Sequence, residues 1–275
     1  MHGGTAGLKL KVEGQSKAPL LVFDIHGVLM GRREPADHRP GGEVIACLRA
    51  AGCSVRFLTN SSSITRSMMV GQLAAVGVEV MEEEIYTGAI AVARYLQSSA
   101  SPIRLVVIGS QVLRDEISLL CGDRVIWAEP EEADTVVVSR DPSLTDEFLE
   151  RINRSSSCLI ATCRDADFPM GTGRVQGPGP TVSRVEAALK SVAHVVGKPN
   201  RYVFTDVMGL TAEDLDRTVM IGDSMDQDIA LANNAGIKSV LLLDGDARAA
   251  SGSSWCPNHV ILALDELLLL FQVTV

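Results

Sequence analysis

The sequence predicts an α/β protein of the doubly wound class, and three observations carry that prediction. Short apolar runs alternate with amphipathic stretches almost from end to end. The runs are rich in Val, Ile and Leu and do not alternate apolar with polar residues, the pattern of parallel strands buried on both faces. Polar residues stand at or just beyond the carboxyl ends of several runs, where open α/β sheets bind their ligands.

In chain order, "PLLVFD" is the first strand, an apolar run that ends in Asp24. An amphipathic helix over 43–51 leads to the second, "SVRFLT", which delivers Thr59 and Asn60. Helical patterns follow over 65–76 and 89–97, then the strand "IRLVVIG" and a helix over 112–120. "DTVVVS", a helix over 146–155 and "CLIAT" continue the alternation. The Pro/Gly-rich stretch "DFPMGTGRVQGPGPT" interrupts it and opens onto a helix over 182–191. Its glycines do not form GxGxxG after a strand, so a substrate-facing loop and a long connector are equally open readings. "TVMIGD" ends in Asp223, and a helix over 227–235 begins among Asp226, Gln227 and Asp228 before the last strand, "SVLLL".

At 275 residues, with 46% hydrophobic and 21% charged residues, the chain has ample material for a core and is not disordered. A net charge of −9 excludes broad nucleic-acid binding, which needs a basic surface. The six cysteines are scattered with no CxxC, and read as reduced core thiols of a cytoplasmic protein. Cys163 as a nucleophile has no nearby histidine to support it. Residues 1–19 lack the apolar core of a signal peptide and read as a loose tail. "LLLLFQVTV" is too short to span a bilayer, so no membrane partner is expected.

Four polar sites fall at strand ends: Asp24, Thr59 with Asn60, Lys198 after "HVVG", and Asp223. Each alone is more often structural, since Asp and Thr commonly end strands and "GKP" is an ordinary turn. Together they make a kit for phosphoryl transfer. Two carboxylates offer hard oxygen ligands to Mg²⁺, and one carboxylate can serve as nucleophile. A hydroxyl, backbone amides and a lysine suit the oxygens of a phosphate. A calcium loop over the spaced aspartates 223–228 fails, because a strand precedes it and its sixth position is not glycine.

The residues resemble the haloacid dehalogenase-like hydrolases, specifically the NagD-like class IIA branch with its para-nitrophenyl-phosphate and phosphoglycolate phosphatases. "FDIHGVLMG", "FLTNSSS", "VGKPN" and "IGDSMDQDIALANNAGI" are similar to its four motifs, in order and at its spacing. The resemblance implies a Rossmann-like core over 20–85 and 182–275, with a smaller α/β cap inserted over 86–181. It implies Asp24 as nucleophile, Thr59 and Asn60 around the phosphate, and Lys198 bridging nucleophile and phosphoryl group. It further implies Mg²⁺ on Asp24, the His26 carbonyl and Asp223, with Asp228 supporting. The loop around Asp165, Asp167 and Phe168 is the expected place of substrate contact. The expected substrate is a small phosphorylated metabolite, and caps of this branch often mediate homodimers.

His26 departs from the pattern, because the family normally has the acid/base aspartate there. A branch resembling mammalian phospholysine/phosphohistidine phosphatases also has a non-acidic residue at this place. Histidine can itself carry protons near neutral pH, although Mg²⁺ nearby disfavours the imidazolium. Three readings therefore stay open: a phosphatase with a changed proton carrier, a phosphate- and metal-binding protein that has lost turnover, and a phosphotransferase.

Overall fold

A computed structural model describes residues 18–31, 37–152, 158–170, 173–243 and 254–273. All but the last two residues of the expected tail lie outside these, as does the end of the helix expected over 146–155. The chain runs β1 (Leu20–Asp24), α1 (Gly41–Ala50), β2 (Ser54–Leu58), α2 (Arg66–Ala75), β3 (Ile85–Tyr86) and α3 (Gly88–Gln97). It continues through β4 (Ile103–Ile108), α4 (Gln111–Cys121), β5 (Val125–Trp127), β6 (Thr135–Val138), α5 (Asp146–Arg151) and β7 (Cys158–Ala161). A hairpin, β8 (Asp167–Met170) and β9 (Gly173–Gln176), precedes α6 (Gly179–Leu189) and β10 (His194–Val195). The last stretch holds α7 (Ala212–Asp216), β11 (Thr218–Gly222), α8 (Ala230–Ala235), β12 (Lys238–Leu242), β13 (His259–Ile261) and α9 (Glu266–Leu270).

Two sheets result. The first has the order β13-β12-β11-β1-β2-β3 and the second β10-β7-β6-β4-β5, and every pairing within them is parallel. The doubly wound α/β class is therefore the observed one. All seven expected strands form, and β1 is buried at every residue, as its unbroken apolar run requires. Phe23 and Phe57, on the neighbouring strands β1 and β2, lie with tilted rings whose centroids are 6.3 Å apart in the core under α1 and α2. Hydroxyls cap five of the described helices by accepting from the third backbone N–H beyond them: Thr65 for α2, Thr87 for α3, Ser110 for α4, Thr145 for α5 and Thr211 for α7.

The second sheet keeps more chain than a boundary at 181 allows. In α6, Val182, Val185 and Leu189 sit in one apolar cluster with Val136, Val138 and Ala161 of β6 and β7. β10 then pairs with β7 through Val195–Ala161, and only after it does the chain return to the first sheet. The Pro/Gly-rich stretch holds the β8–β9 hairpin, paired antiparallel from Asp167–Gln176 to Met170–Gly173.

All six cysteines are free. Cys53, Cys121 and Cys163 are the expected core thiols, but Cys158 and Cys256 are exposed. Cys158 opens β7 at a sheet end, and Cys256 lies in the loop before β13. Among the described residues no helix is long and apolar enough to cross a membrane.

Candidate active site

Strand order builds the site. β11, β1 and β2 are neighbours and parallel, so Asp223, Asp24 and Thr59 leave the sheet along one edge. After β1 the chain folds back at once: Met30 and Leu29 donate their N–H groups to the Ile25 carbonyl, and Gly27 donates to Met30. Gly27 has φ +88°, and a Cβ there would stand 2.1 Å from Asp223 Oδ2. Only glycine lets this turn lie against that carboxylate. Gly222 is confined in the same way, 2.2 Å from the Asp228 Cβ.

Lys198 enters from the loop after β10. Its ammonium lies 2.8 Å from Asp24 Oδ1 and 2.7 Å from Asp228 Oδ1, all three side chains buried. Asp24 Oδ1 also accepts from the Ile25 N–H at 2.8 Å, and Asp228 Oδ2 from the Ser224 N–H at 3.1 Å. Asp223 opens to solvent beside them, and one oxygen of each of Asp24, Asp223 and Asp228 falls within 4.8 Å of the others.

Three carboxylates thus share one ammonium. Although Asp223 has solvent-open surface, the crowding that buries its carboxyl group, then the Asp24 and Asp228 charges, push it up to about 8. Burial likewise raises Asp228 to about 6 and lifts Asp24, with Lys198 pulling both back. Burial alone would lower the lysine, but Asp228 and Asp24 overcome it and hold the ammonium charged. The cluster carries more negative charge than it can neutralise, on oxygens that suit a hard divalent cation. Asp24 and Asp223 fit as holders of Mg²⁺. Both oxygens of Asp228 are engaged, so it fits as support.

The His26 ring is half-buried, its Nδ1 3.3 Å from Thr59 Oγ1, which also accepts from the Ser61 N–H at 3.1 Å. Burial and the nearby Lys198 push its pKa below 6.5. Asn60 Nδ2 donates to Asp165 Oδ2 at 3.1 Å, and Asn60 Oδ1 accepts from the Lys198 N–H at 2.8 Å. Phe168, on β8, borders the same space. Every residue singled out from sequence lines one cavity of about 410 Å³ between the two sheets.

Sequence reading missed the cavity's upper wall, where Ser139, Arg140, Ser143 and Arg174 also face in. Ser139 stands at the carboxyl end of "DTVVVS", so the strand-end rule that found Thr59 could have found it. It joins a buried hydroxyl chain, 2.7 Å from Ser62 Oγ and 3.1 Å from Thr162 Oγ1. Cys163 is buried, and burial holds its thiol well above the usual range, which suits a structural thiol rather than a nucleophile.

Residues 21–120 match a family model described as haloacid dehalogenase-like hydrolase, and residues 195–267 match a HAD-hydrolase-like one. Human glycerol-3-phosphate phosphatase is 31% identical over 254 residues, covering 82% of this chain and 78% of that one. The chain belongs to the haloacid dehalogenase-like hydrolases. The sugar-phosphatase AraL of Bacillus subtilis is 29% identical over 254 residues, covering 90% of this chain and 91% of its own. Among solved structures, a 4-nitrophenylphosphatase from Thermotoga maritima superposes with a TM-score of 0.77 at 26% identity, over 91% and 96% of the two chains. NagD from E. coli shares the fold, with a TM-score of 0.76 at 22% identity over 91% and 98% of the chains. The placement is in class IIA, the NagD-like branch of a phosphatase-bearing hydrolase family.

Proposed function

We propose that this protein is a Mg²⁺-dependent phosphomonoesterase for a small polyol or sugar phosphate, with Asp24 as nucleophile. The observation that carries the reading is the buried Lys198 ammonium set between Asp24 and Asp228, with Asp223 in reach, on the floor of a cavity of about 410 Å³, a size that suits a small metabolite. The substrate class rests on the relatives named sugar-phosphatase and glycerol-3-phosphate phosphatase and on the serine- and arginine-bearing upper wall.

A bound Mg²⁺, held by Asp24 and Asp223, would neutralise charge on the phosphoryl oxygens. Lys198 works against the burial that raises Asp24 and offers its remaining hydrogen to a phosphate oxygen. Asp24 forms a bond to phosphorus as the bond to the leaving oxygen breaks, and the leaving oxygen departs as the anion or takes a proton from water. In the second half, water gives a proton to a base and attacks phosphorus, which frees the Asp24 carboxylate and inorganic phosphate. His26 is placed to serve as that base. With its pKa pushed below 6.5 it is neutral at pH 7, competent to accept a proton and poorly suited to give one. The layer of the second sheet, with the β8–β9 hairpin, acts as the cap that shuts water out.

The test is phosphate release from glycerol 3-phosphate, a hexose phosphate and 4-nitrophenyl phosphate, each with Mg²⁺ and with EDTA. Release in Mg²⁺ that EDTA abolishes is the expected result. No release from any ester with Mg²⁺ would sink the reading in favour of a binding protein without turnover.

A further inference from the structure

Asn60 stands where three separate stretches of chain meet. Its Oδ1 accepts from the Lys198 N–H at 2.8 Å. Its Nδ2 faces Asp165 Oδ2 at 3.1 Å, the Lys198 carbonyl at 3.4 Å and Gln227 Oε1 at 3.4 Å. An amide nitrogen has two hydrogens to give, and the ionised acceptor takes the stronger bond. The side-chain amide is therefore spent inside the protein, and none of its hydrogens is left over for a phosphate.

The backbones around it are drawn in as closely as backbones can be. A Cβ on Gly197 would stand 2.6 Å from Asn60 Oδ1 and 2.3 Å from the Thr162 carbonyl. One on Gly177 would stand 2.2 Å from the Asp165 carbonyl. The Gly197 N–H donates to that same Thr162 carbonyl at 2.9 Å, so the lysine loop and the strand end below Asp165 are stitched together on both sides of the amide.

We propose that Asn60 is a positioning residue: one side-chain amide clasps the Asp165 loop of the second sheet to the main chain of Lys198. The ammonium is then set against Asp24 when that wall is down, and the setting is lost when the wall lifts. The kinetic part of this inference rests on the phosphatase reading. The clasp itself does not, because the buried Cys163 thiol, two residues before Asp165, reads its opening in variants that leave Asp165 and its charge in place.

The test is a reciprocal swap. Asn60→Asp keeps an acceptor for the Lys198 N–H but turns a carboxylate, with no hydrogen to give, toward Asp165, Gln227 and the Lys198 carbonyl. Asp165→Asn added to it returns one amide and one carboxylate to the pair with the total charge unchanged, and Gln227 regains its bond by turning its amide over. Turnover at saturating substrate and Mg²⁺ should fall about tenfold to a hundredfold in Asn60→Asp, the scale of loss when a reacting group is slightly misplaced. Alkylation of Cys163 by iodoacetamide, resolved by peptide mass spectrometry, should quicken in the same variant. The swap should return turnover most of the way to wild type. Asn60→Ala opens the clasp with Asp165 and its charge beside Cys163 kept, and should lower kcat and quicken alkylation even where Asn60→Asp fails to fold. A swap as slow as Asn60→Asp would overturn the proposal. So would alkylation at the wild-type rate in either opened variant. If the wild type releases no phosphate, the alkylation arm still decides the clasp.

Discussion

The floor and the upper wall of the cavity are built on opposite principles. The floor is four charged groups, Asp24, Lys198, Asp223 and Asp228, in hydrogen-bond or near-contact distance and mostly buried. Its geometry is fixed by strand ends and by glycines that admit no side chain. The wall is polar and largely exposed, with its charges answered locally: Arg174 binds Asp167, and Arg140 gives its Nε hydrogen to the Gln176 carbonyl at 2.8 Å. Charges in a dry, crowded floor act strongly on a reacting phosphate, while solvated ones on the wall act weakly and can vary. On the proposed function, chemistry belongs to the floor and selection to the wall, and each prediction below tests that division.

The largest effect is expected at Asp24. Asp24→Asn removes the proposed nucleophile, and turnover should fall by about 10⁴-fold or more, as when other covalent nucleophiles are removed. Steady-state phosphate release checks it. A loss of less than tenfold would move the chemistry off the floor.

His26 comes next. His26→Ala should slow turnover by roughly 10² to 10⁴-fold if the ring is the working base. Because a neutral imidazole gives protons poorly, the wild type should favour esters whose leaving oxygen needs no proton. 4-Nitrophenyl phosphate should be cleaved faster than an alkyl phosphate, and His26→Asp should narrow that gap. If Ala leaves turnover untouched and Asp does not change the leaving-group ratio, the proton path runs elsewhere.

The floor also predicts a pH response without turnover. Asp223 ionises near 3.8 in the unfolded chain but at about 8 in the folded one. Between those values the folded state holds the extra proton, so in EDTA stability should fall as pH rises from 4 to 8. The thermal midpoint should follow that slope, Mg²⁺ should flatten it by occupying the carboxylates, and Asp223→Asn should weaken both responses. A midpoint that rises over this range in EDTA would show the carboxylates to be better compensated than the floor suggests.

The same division explains what could be read from the chain. Asp24, Thr59 and Asp223 were legible because each ends an apolar run, and parallel strands bring their ends to one edge whatever their order. The kit of types gave the chemistry. The bond between Asn60 and Asp165 was not legible, since it joins residues 105 positions apart through the placement of one sheet over another. Nor could α6 be assigned to the second sheet, because an apolar stripe at 182, 185 and 189 packs equally well on either. β10 is two residues long, so "HVVG" could be read as the run before Lys198 but not as an edge strand of the second sheet.

Arg140 should give the smallest effect, and it tests the wall alone. Its guanidinium lines the cavity from the loop after β6, held by one bond to a carbonyl and open to solvent. Exposed charges of this kind contribute about 1 kcal/mol or less, so Arg140→Gln should raise KM by no more than about fivefold. The floor is untouched, and kcat should stay within about threefold of wild type. The change in KM should also differ between glycerol 3-phosphate and a hexose phosphate, because a wall that selects must touch the part of the substrate that varies. An equal change for every ester would mean that Arg140 senses only the phosphate, as Lys198 does. A collapse of kcat with KM intact would place the guanidinium among the floor's charges, and the boundary between chemistry and selection would have to be redrawn to include it.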